Sequence, residues 1–389
     1  MKKWAALLGL LAALTAWAPA ARAAGEPGPG FTVTGRLATD LGYHHNAKEQ
    51  TNNKAADVTS AFVNLAGYSY MRANYTSADK TAGGLIELGL TSKLGDSEAA
   101  YLRLAYAWWN FGQFNILAGH SDGWVGSLAH HPKQYLGFTE DAKFILTNWG
   151  YIYSSRSPQA RLEWNSGAWG LALAAVQPGA EAVPNLGSGV DIHANLPRFD
   201  LATQFKSGGF WTQPGVGWSQ LKAEGVVSGG DGSVTAWIAI LPLKYSVGPF
   251  TAKGEVHFGQ NNDMEWSGEL ITGLRSLPRS MPVQTSSGKI EDTRQVGGFL
   301  ALEYKLAKPL EITGGMGIER LSNDAWSKAN GYQNDDYTRK SWFVALPITV
   351  TPNFTVQPEL AYYDYGESIS DGKDNGREWL SGVGLRFVF

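Results

Sequence analysis

The last eight residues of the chain place an apolar side chain at every second position and end on an aromatic residue. Four apolar side chains share one face: Val383, Leu385, Phe387 and Phe389. A two-residue period predicts a β-strand with one apolar face. If that face contacts lipid, the strand cannot stay at an open sheet edge, because hydrocarbon leaves unpaired N–H and C=O groups unsatisfied. We therefore expect the last strand to pair with the first and close a barrel.

The N-terminal end carries the three regions of a secretory signal. Lys2 and Lys3 precede an apolar stretch at 4–17, and Ala21-Arg22-Ala23 supplies the small residues of a cleavage site. An uncleaved anchor is the alternative, but the apolar stretch is shorter than the ~20 residues that a spanning helix needs. The predicted parts of the chain are a signal peptide (1–23), a short N-terminal lead-in (24–30) and an outer-membrane β-barrel (31–389).

The composition fits a transmembrane barrel better than a bundle of membrane helices. The mean hydropathy is only −0.20, yet the chain has 15 Trp, 16 Tyr and 16 Phe, as expected when alternation hides the apolar face. Zero cysteines exclude disulfides, and a net charge of −3 argues against nucleic acid as a partner. Many aromatic residues near strand ends are expected to form girdles at the lipid headgroups, including Tyr70, Tyr75, Tyr106, Trp109, Tyr151, Tyr153, Trp342, Tyr362, Tyr363, Tyr365 and Trp379.

Sixteen segments alternate in the same way, from 31–43 to 378–389. The strands between them are predicted near 58–75, 81–93, 98–109, 113–121, 158–165, 168–177, 198–207, 217–228, 233–246, 249–260, 293–306, 309–321, 340–351 and 353–365. Short and long connections alternate along the chain, as they do when all turns on one side of a membrane are short. Fourteen or eighteen strands stay open, because the connections near 95–96, 208–216 and 229–232 break this rule.

The face opposite the apolar residues carries charges. A charged side chain that faces lipid near the midplane costs ~2 to 4 kcal/mol, so parity assigns these charges to the lumen. Five arginines are predicted to form a basic wall: Arg36, Arg72, Arg103, Arg161 and Arg386. Other predicted lumen charges are Asp40, Glu163, Lys253 and Glu255. Such a wall would attract anions, or its charges would only keep the pore wet and pair with neighbouring acids.

The loop at 121–157 is the longest connection in the first half of the chain. It contains four charged residues that we interpret as constriction residues: Lys133, Glu140, Asp141 and Lys143. Long loops within compact domains usually have a function. Folded inward, this loop would narrow the pore and face the arginines, whereas folded outward it would be a surface lid.

The chain resembles the trimeric, sixteen-stranded porins of Gram-negative outer membranes. The segment Leu102-Arg103-Leu104-Ala105-Tyr106, followed by Leu117-Ala118-Gly119-His120, looks like the hairpin before the third loop of those proteins. The segment Arg156-Ser157-Pro158-Gln159-Ala160-Arg161 looks like the hairpin after it, and the whole is similar to the branch with dicarboxylate- and phosphate-selective porins. The resemblance implies an inward-folded third loop, a homotrimer, and lipid and lipopolysaccharide as partners. His120 departs from the pattern, since such porins often have Arg there.

Two other patterns point to catalysis or metal binding, and we interpret neither as a site. Gly119-His120-Ser121-Asp122-Gly123 matches the nucleophile elbow of esterases, but that motif needs a parallel α/β sheet. The pairs His44-His45 and His130-His131 lack ligand spacing beyond adjacency. We therefore predict no enzyme activity, no catalytic residue, no metal and no cofactor.

The sequence thus predicts a porin for passive diffusion of small hydrophilic solutes and ions. A preference for anions with carboxylate or phosphate groups stays open. The alternative is a barrel sheath around a multihaem cytochrome in an outer-membrane electron conduit. The chain itself has no cysteine with which to attach c-type haem. A lumen that is open over its full height would favour the sheath.

Overall fold

The computed structural model describes residues 30–48, 56–92, 99–134, 150–154, 156–179, 191–224, 232–266, 280–285, 288–369 and 371–389. The predicted signal peptide and nearly all of the lead-in lie outside these residues. No helix in the described part of the chain is long and apolar enough to cross a membrane.

The chain is all-β and forms sixteen strands, three of which are interrupted. The strands are β1 (Gly30–Asn46), β2 (Val58–Thr76), β3 (Ala82–Ser92), β4 (Ala99–Phe111), β5 (Phe114–Ser121), β6 (Ser157–Ser166), β7 (Trp169–Val176), β8 (Asp191–Ala194 and Arg198–Ser207), β9 (Phe210–Thr212 and Gly215–Glu224), β10 (Gly232–Val247), β11 (Phe250–Gln260), β12 (Arg294–Ala307), β13 (Leu310–Ser322), β14 (Asp336–Ala345 and Ile348–Thr351), β15 (Phe354–Asp364) and β16 (Arg377–Val388). A small hairpin (Val283–Gln284 with Ile290–Glu291) and one helix, α1 (Asp324–Asn330), lie in connections.

Each strand pairs antiparallel with the next, and the last pairs with the first. In this β1–β16 seam the partners run from Arg36 and Val388 to Asn46 and Glu378. Beyond the seam, the terminal Phe389 exchanges backbone hydrogen bonds of 2.8 and 3.0 Å with Gly35. The sheet therefore has no free edge. The prediction of a closed sixteen-stranded barrel is confirmed, and fourteen or eighteen strands are excluded.

Exposure along the strands separates an outer apolar face from an inner polar one. On β11, Val256 is 59% and Phe258 54% exposed, whereas Glu255 and His257 are each 3% exposed. Glu255 and His257 therefore face the inside of the barrel, as the two-residue period of a strand predicts. The buried clusters lie within the barrel, where Tyr151 packs with Phe299 and other residues of the inner wall.

The short turns gather at one end of the barrel and use glycine at positive φ. Gly112, Gly167, Gly208 and Gly248 have φ between 54 and 66°, a range that suits glycine because it has no Cβ. The prediction of a long connection at 208–216 is wrong: Ser207 pairs with Phe210 around a tight turn. Sequence alternation missed this because β9 is interrupted before Gly215.

The predicted aromatic girdle is wrong for several residues, because they face inward. Tyr363 and Tyr365 are both 0% exposed and belong to the interior cluster, and Tyr151 is 1% exposed. In β4 a register shift at Arg103 exchanges the two faces of the strand, and Leu104 is buried. Tyr106, two residues further along, lies on the same inner face as Leu104. The outward aromatics include Trp342, Tyr362 and Trp379, with ring centroids 4.6 to 5.7 Å apart.

Candidate functional site

Three of the predicted wall arginines converge on one aromatic ring inside the barrel. The guanidinium carbons of Arg36, Arg72 and Arg103 lie 5.3, 5.1 and 5.8 Å from the centroid of the Tyr70 ring. Arg36 and Tyr70 are direct partners across β1 and β2, so strand register sets this geometry. Guanidinium groups near an aromatic face are attracted by its negative π-cloud. The result is a basic cluster on the wall formed by β1, β2 and β4.

Glu87 of β3 joins two of these arginines. Its Oε2 atom lies 2.5 Å from Arg72 Nη2 and its Oε1 atom lies 2.6 Å from Arg103 Nε. Glu87 is only 1% exposed. The sequence interpretation did not include this residue, although Glu87 is the only charged residue of β3. We call Arg36, Arg72, Arg103, Tyr70 and Glu87 the arginine cluster.

The other two predicted wall arginines lie outside the arginine cluster. Arg161 of β6 contacts Glu163, with 2.6 Å between Nε and Oε1, and donates a 2.7 Å hydrogen bond to the Asp122 carbonyl. It thereby ties β6 to the start of the 121–157 loop. Arg386 lies on β16 next to the seam, and Asp40 of β1 is fully buried on the inner face.

Residues from the two ends of the 121–157 loop contact the inner face of β11. His130 Nε2 lies 2.6 Å from Glu255 Oε2, and the Ile152 N–H donates a 2.7 Å hydrogen bond to Glu255 Oε1. His130 is 0% exposed. Burial, assisted by the charge of Lys253, lowers the pKa of His130 to about 3, so its imidazole is neutral at ordinary pH. The buried carboxyl group of Glu255 thus contacts residues from both ends of one loop.

Further contacts join the same loop to β12, β13 and β15. Lys133 Nζ contacts Glu311 and lies 3.6 Å from Glu303 Oε2, and the Lys133 carbonyl accepts a 2.9 Å hydrogen bond from Gln357. Lys253 donates a 3.0 Å hydrogen bond to the His131 carbonyl. The predicted constriction residues Glu140, Asp141 and Lys143 lie outside the described residues.

A second loop segment, which the sequence interpretation missed, follows β11. Trp266 is 0% exposed and packs with Val125 and Ile152 of the 121–157 loop. Its indole Nε1 donates a 3.0 Å hydrogen bond to Asp200 Oδ1, and Asp200 Oδ2 lies 3.0 Å from Arg198 Nη2. The two loops therefore share one buried contact against the wall formed by β8 to β10.

The esterase-like motif lies in an antiparallel sheet, not in the parallel α/β sheet that a nucleophile elbow needs. Ser121 ends an antiparallel strand, β5, and its hydroxyl donates to the Asp122 carbonyl at 3.4 Å. Within the described ranges, no group of three or more His, Cys, Asp or Glu residues could hold a metal ion.

Comparison with known proteins relates the chain to solved structures only. No protein-family model and no curated protein sequence matches it. The outer membrane channel DcaP of Acinetobacter baumannii superposes with a TM-score of 0.72 at 16% identity, covering 94% of this chain and 99% of that chain. An anion-selective porin from Comamonas acidovorans gives 0.61 at 10% identity, covering 93% and 100%. The trimer form of OmpT, an outer membrane protein of Vibrio cholerae, gives 0.54 at 12% identity, covering 93% and 100%.

These likenesses define the class of fold. The chain has the fold of the outer-membrane porins: a closed, sixteen-stranded, antiparallel barrel with an apolar outside and a charged inside. At such low sequence identity the likeness covers the fold alone, so the function is inferred from the chain's own residues.

Proposed function

We propose that this chain is an outer-membrane porin that lets small hydrophilic solutes and ions diffuse passively across the membrane. One observation carries the proposal: the barrel is closed, with charged residues such as Arg72 and Glu87 on the inside and Val256 and Phe258 on the outside. A closed barrel satisfies every strand edge in hydrocarbon, and a polar lumen admits water. In this proposal the signal peptide directs export, no residue is catalytic and no cofactor takes part.

The 121–157 loop is proposed as the constriction of the pore. Its two ends leave β5 and β6, whereas their side chains and backbone contact β11, β12, β13 and β15. In a sixteen-stranded barrel these strands lie on the far wall, so contacts with their inner faces support a loop that crosses the lumen. Such a loop would leave the solute path next to the arginine cluster.

The arginine cluster supports a preference for anions. Arg72 and Arg103 share one carboxylate, Glu87, and Arg161 has its own, Glu163, which fits the alternative that lumen charges mainly pair with one another. Arg36 differs, because its contact within the described part of the chain is the Tyr70 ring rather than an acid. A guanidinium without a carboxylate partner is suited to orient a carboxylate or phosphate of a solute. The anion-selective porin among the structural neighbours agrees with this direction.

The assembly proposed is a homotrimer in the outer membrane, surrounded by lipid and lipopolysaccharide. A trimer form exists for one structural neighbour. The alternative function, a sheath around a cytochrome, needs an unobstructed lumen. The contacts of His130 and Ile152 with Glu255 count against it.

The selectivity proposal is tested by reversal potentials under a salt gradient in planar bilayers. We expect wild type to prefer anions, and Arg36→Ala to lower the anion-to-cation permeability ratio by about twofold, as removal of one charge ~8 Å from a passing ion in water would do. Arg320→Ala is the matched control, because Arg320 lies at the outer end of β13 with a side chain that is 57% exposed. Cation preference in wild type, or equal effects of both substitutions, would refute the anion preference.

The same recordings test the proposed trimer. Channel closures in three equal steps would support the trimer, and closures in single steps would contradict it.

A further inference from the structure

Glu87 is placed to control the charge of the arginine cluster. Each of its carboxylate oxygens contacts a different arginine: Oε2 contacts Arg72 at 2.5 Å and Oε1 contacts Arg103 at 2.6 Å. Arg72 also donates a 2.8 Å hydrogen bond from Nε to Oε2, so Arg72 is held by two of its nitrogens. This two-sided arrangement fixes both guanidinium groups beside the Tyr70 ring.

The position of Glu87 makes its charge count in the lumen. It lies on β3, between the strands that carry Arg72 and Arg103, and its side chain is 1% exposed. A buried charge is screened by salt much less than an exposed one. The three guanidinium groups with one carboxylate carry two net positive charges, so the carboxylate reduces the field of the cluster while it leaves Arg36 open to solutes.

We propose that Glu87 is a specificity-determining residue that sets how strongly this channel prefers anions. The inference rests on the proposed anion-preferring porin function and deepens it. In this role Glu87 limits the anion preference instead of creating it, because it neutralises one of three clustered positive charges. It also occupies donor nitrogens of Arg72 and Arg103, whereas the contact of Arg36 is the Tyr70 ring, so Arg36 is the guanidinium of the cluster best able to bind a solute's carboxylate or phosphate group.

The test compares permeability ratios of Glu87→Gln, Arg103→Gln and the double variant in planar bilayers at low salt. Glu87→Gln adds one net positive charge at nearly constant shape, and we expect the anion-to-cation ratio to rise by about twofold over wild type. Arg103→Gln is expected to lower the ratio by a similar factor. The double variant restores the net charge of the cluster and is expected to return close to the wild-type ratio.

Glu319→Gln serves as the matched control. Glu319 is also buried and paired with an arginine, with 2.7 Å between its Oε2 and Arg339 Nη2, but it lies on β13, away from the arginine cluster. Its substitution should change the ratio less than Glu87→Gln does. An unchanged ratio in Glu87→Gln, or an equal rise in Glu319→Gln, overturns the role of Glu87.

Two further comparisons keep the test decisive. If Glu87→Gln does not assemble into a folded barrel, the double variant is compared with Arg103→Gln, and its ratio should still be about twofold higher; equal ratios overturn the inference. If wild type prefers anions and Arg36→Ala reduces this preference while Glu87→Gln does nothing, only the role of Glu87 fails. If wild type prefers cations, the underlying anion preference fails as well.

Discussion

Gly42 and Gly382 face each other across the seam where the first and last strands close the barrel. A Cβ on Gly42 would lie 2.3 Å from the Ser381 carbonyl oxygen, and a Cβ on Gly382 would lie 2.3 Å from the Leu41 carbonyl oxygen. Both obstacles are backbone atoms, which cannot turn aside as a flexible side chain can. The seam therefore depends on two glycines that let the strands approach closely.

Gly382→Ala should weaken the closure of the barrel. Because the added methyl group meets the backbone of β1, we expect the free energy of unfolding to fall by about 1–3 kcal/mol, the usual cost of overpacking. Urea titration of the protein refolded in liposomes measures this change. Gly30→Ala is the control, since a Cβ there meets no atom within 4 Å. Equal stability of the two variants would show that close approach at the seam is not required.

Glu255→Ala should release the 121–157 loop from the far wall. The substitution leaves the His130 ring and the Ile152 N–H without their shared hydrogen-bond partner, and each unsatisfied buried group costs about 1–3 kcal/mol. We expect larger and noisier single-channel conductance in planar bilayers. Glu319→Gln, which alters an inner-wall ion pair with Arg339, should keep the wild-type noise. Unchanged conductance in Glu255→Ala would contradict an inward loop held by these contacts.

Acid should loosen the same loop. Burial, with a contribution from the charge of Lys253, lowers the pKa of both His130 and His131 to about 3 from an ordinary value of 6.5. The undocked loop therefore binds more protons than the docked loop at pH values between about 3 and 6.5. The stability of the docked loop is greatest above pH 6.5 and decreases as the pH falls towards 3. Glu255, Tyr151, Trp211 and Phe299 face the His130 ring.

Single-channel recordings at pH 7, 5 and 4 measure this acid effect. We expect conductance noise to increase on acidification in wild type and to increase less in His130→Gln, which cannot gain a proton there. A noise level that is independent of pH would rule out control of docking by the histidines.

Trp266→Ala should separate the two loops that meet inside the barrel. Trp266 fills the space between Val125, Ile152 and the wall, and loss of a buried aromatic side chain costs about 3–5 kcal/mol. We expect larger conductance together with faster proteolysis of the loops. Trp266→Phe keeps most of the packing but loses the hydrogen bond to Asp200, and it should lie between wild type and Trp266→Ala. Identical behaviour of all three proteins would exclude a structural role for this contact.

Strand parity predicted the barrel because lipid and water impose opposite demands on neighbouring residues. The outward exposure of Phe387 and the seam between β16 and β1 follow directly from the alternation of the last strand. The same parity predicted that Glu255 faces inward, where it is 3% exposed. The wall arginines, by contrast, remain predictions in their functional roles.

Features that depend on irregular backbone or on distant contacts could not be predicted in this way. Unbroken alternation along β4 predicts that Tyr106 faces the headgroups. The register shift beside Glu87 exchanges the faces of β4, so Tyr106 faces the lumen instead. The Trp266 contact lies in a loop, where no period indicates which wall a side chain meets. Glu87 follows the parity of β3, but its importance appears only when register brings Arg72 and Arg103 to either side.

The most direct test of the account is the conductance of the purified full-length protein in planar bilayers. Folded protein should insert in discrete steps of stable, ohmic conductance, and a salt gradient should give a reversal potential on the anion-preferring side. Folded, membrane-inserted protein that conducts no ions would contradict the proposal that this barrel is a porin.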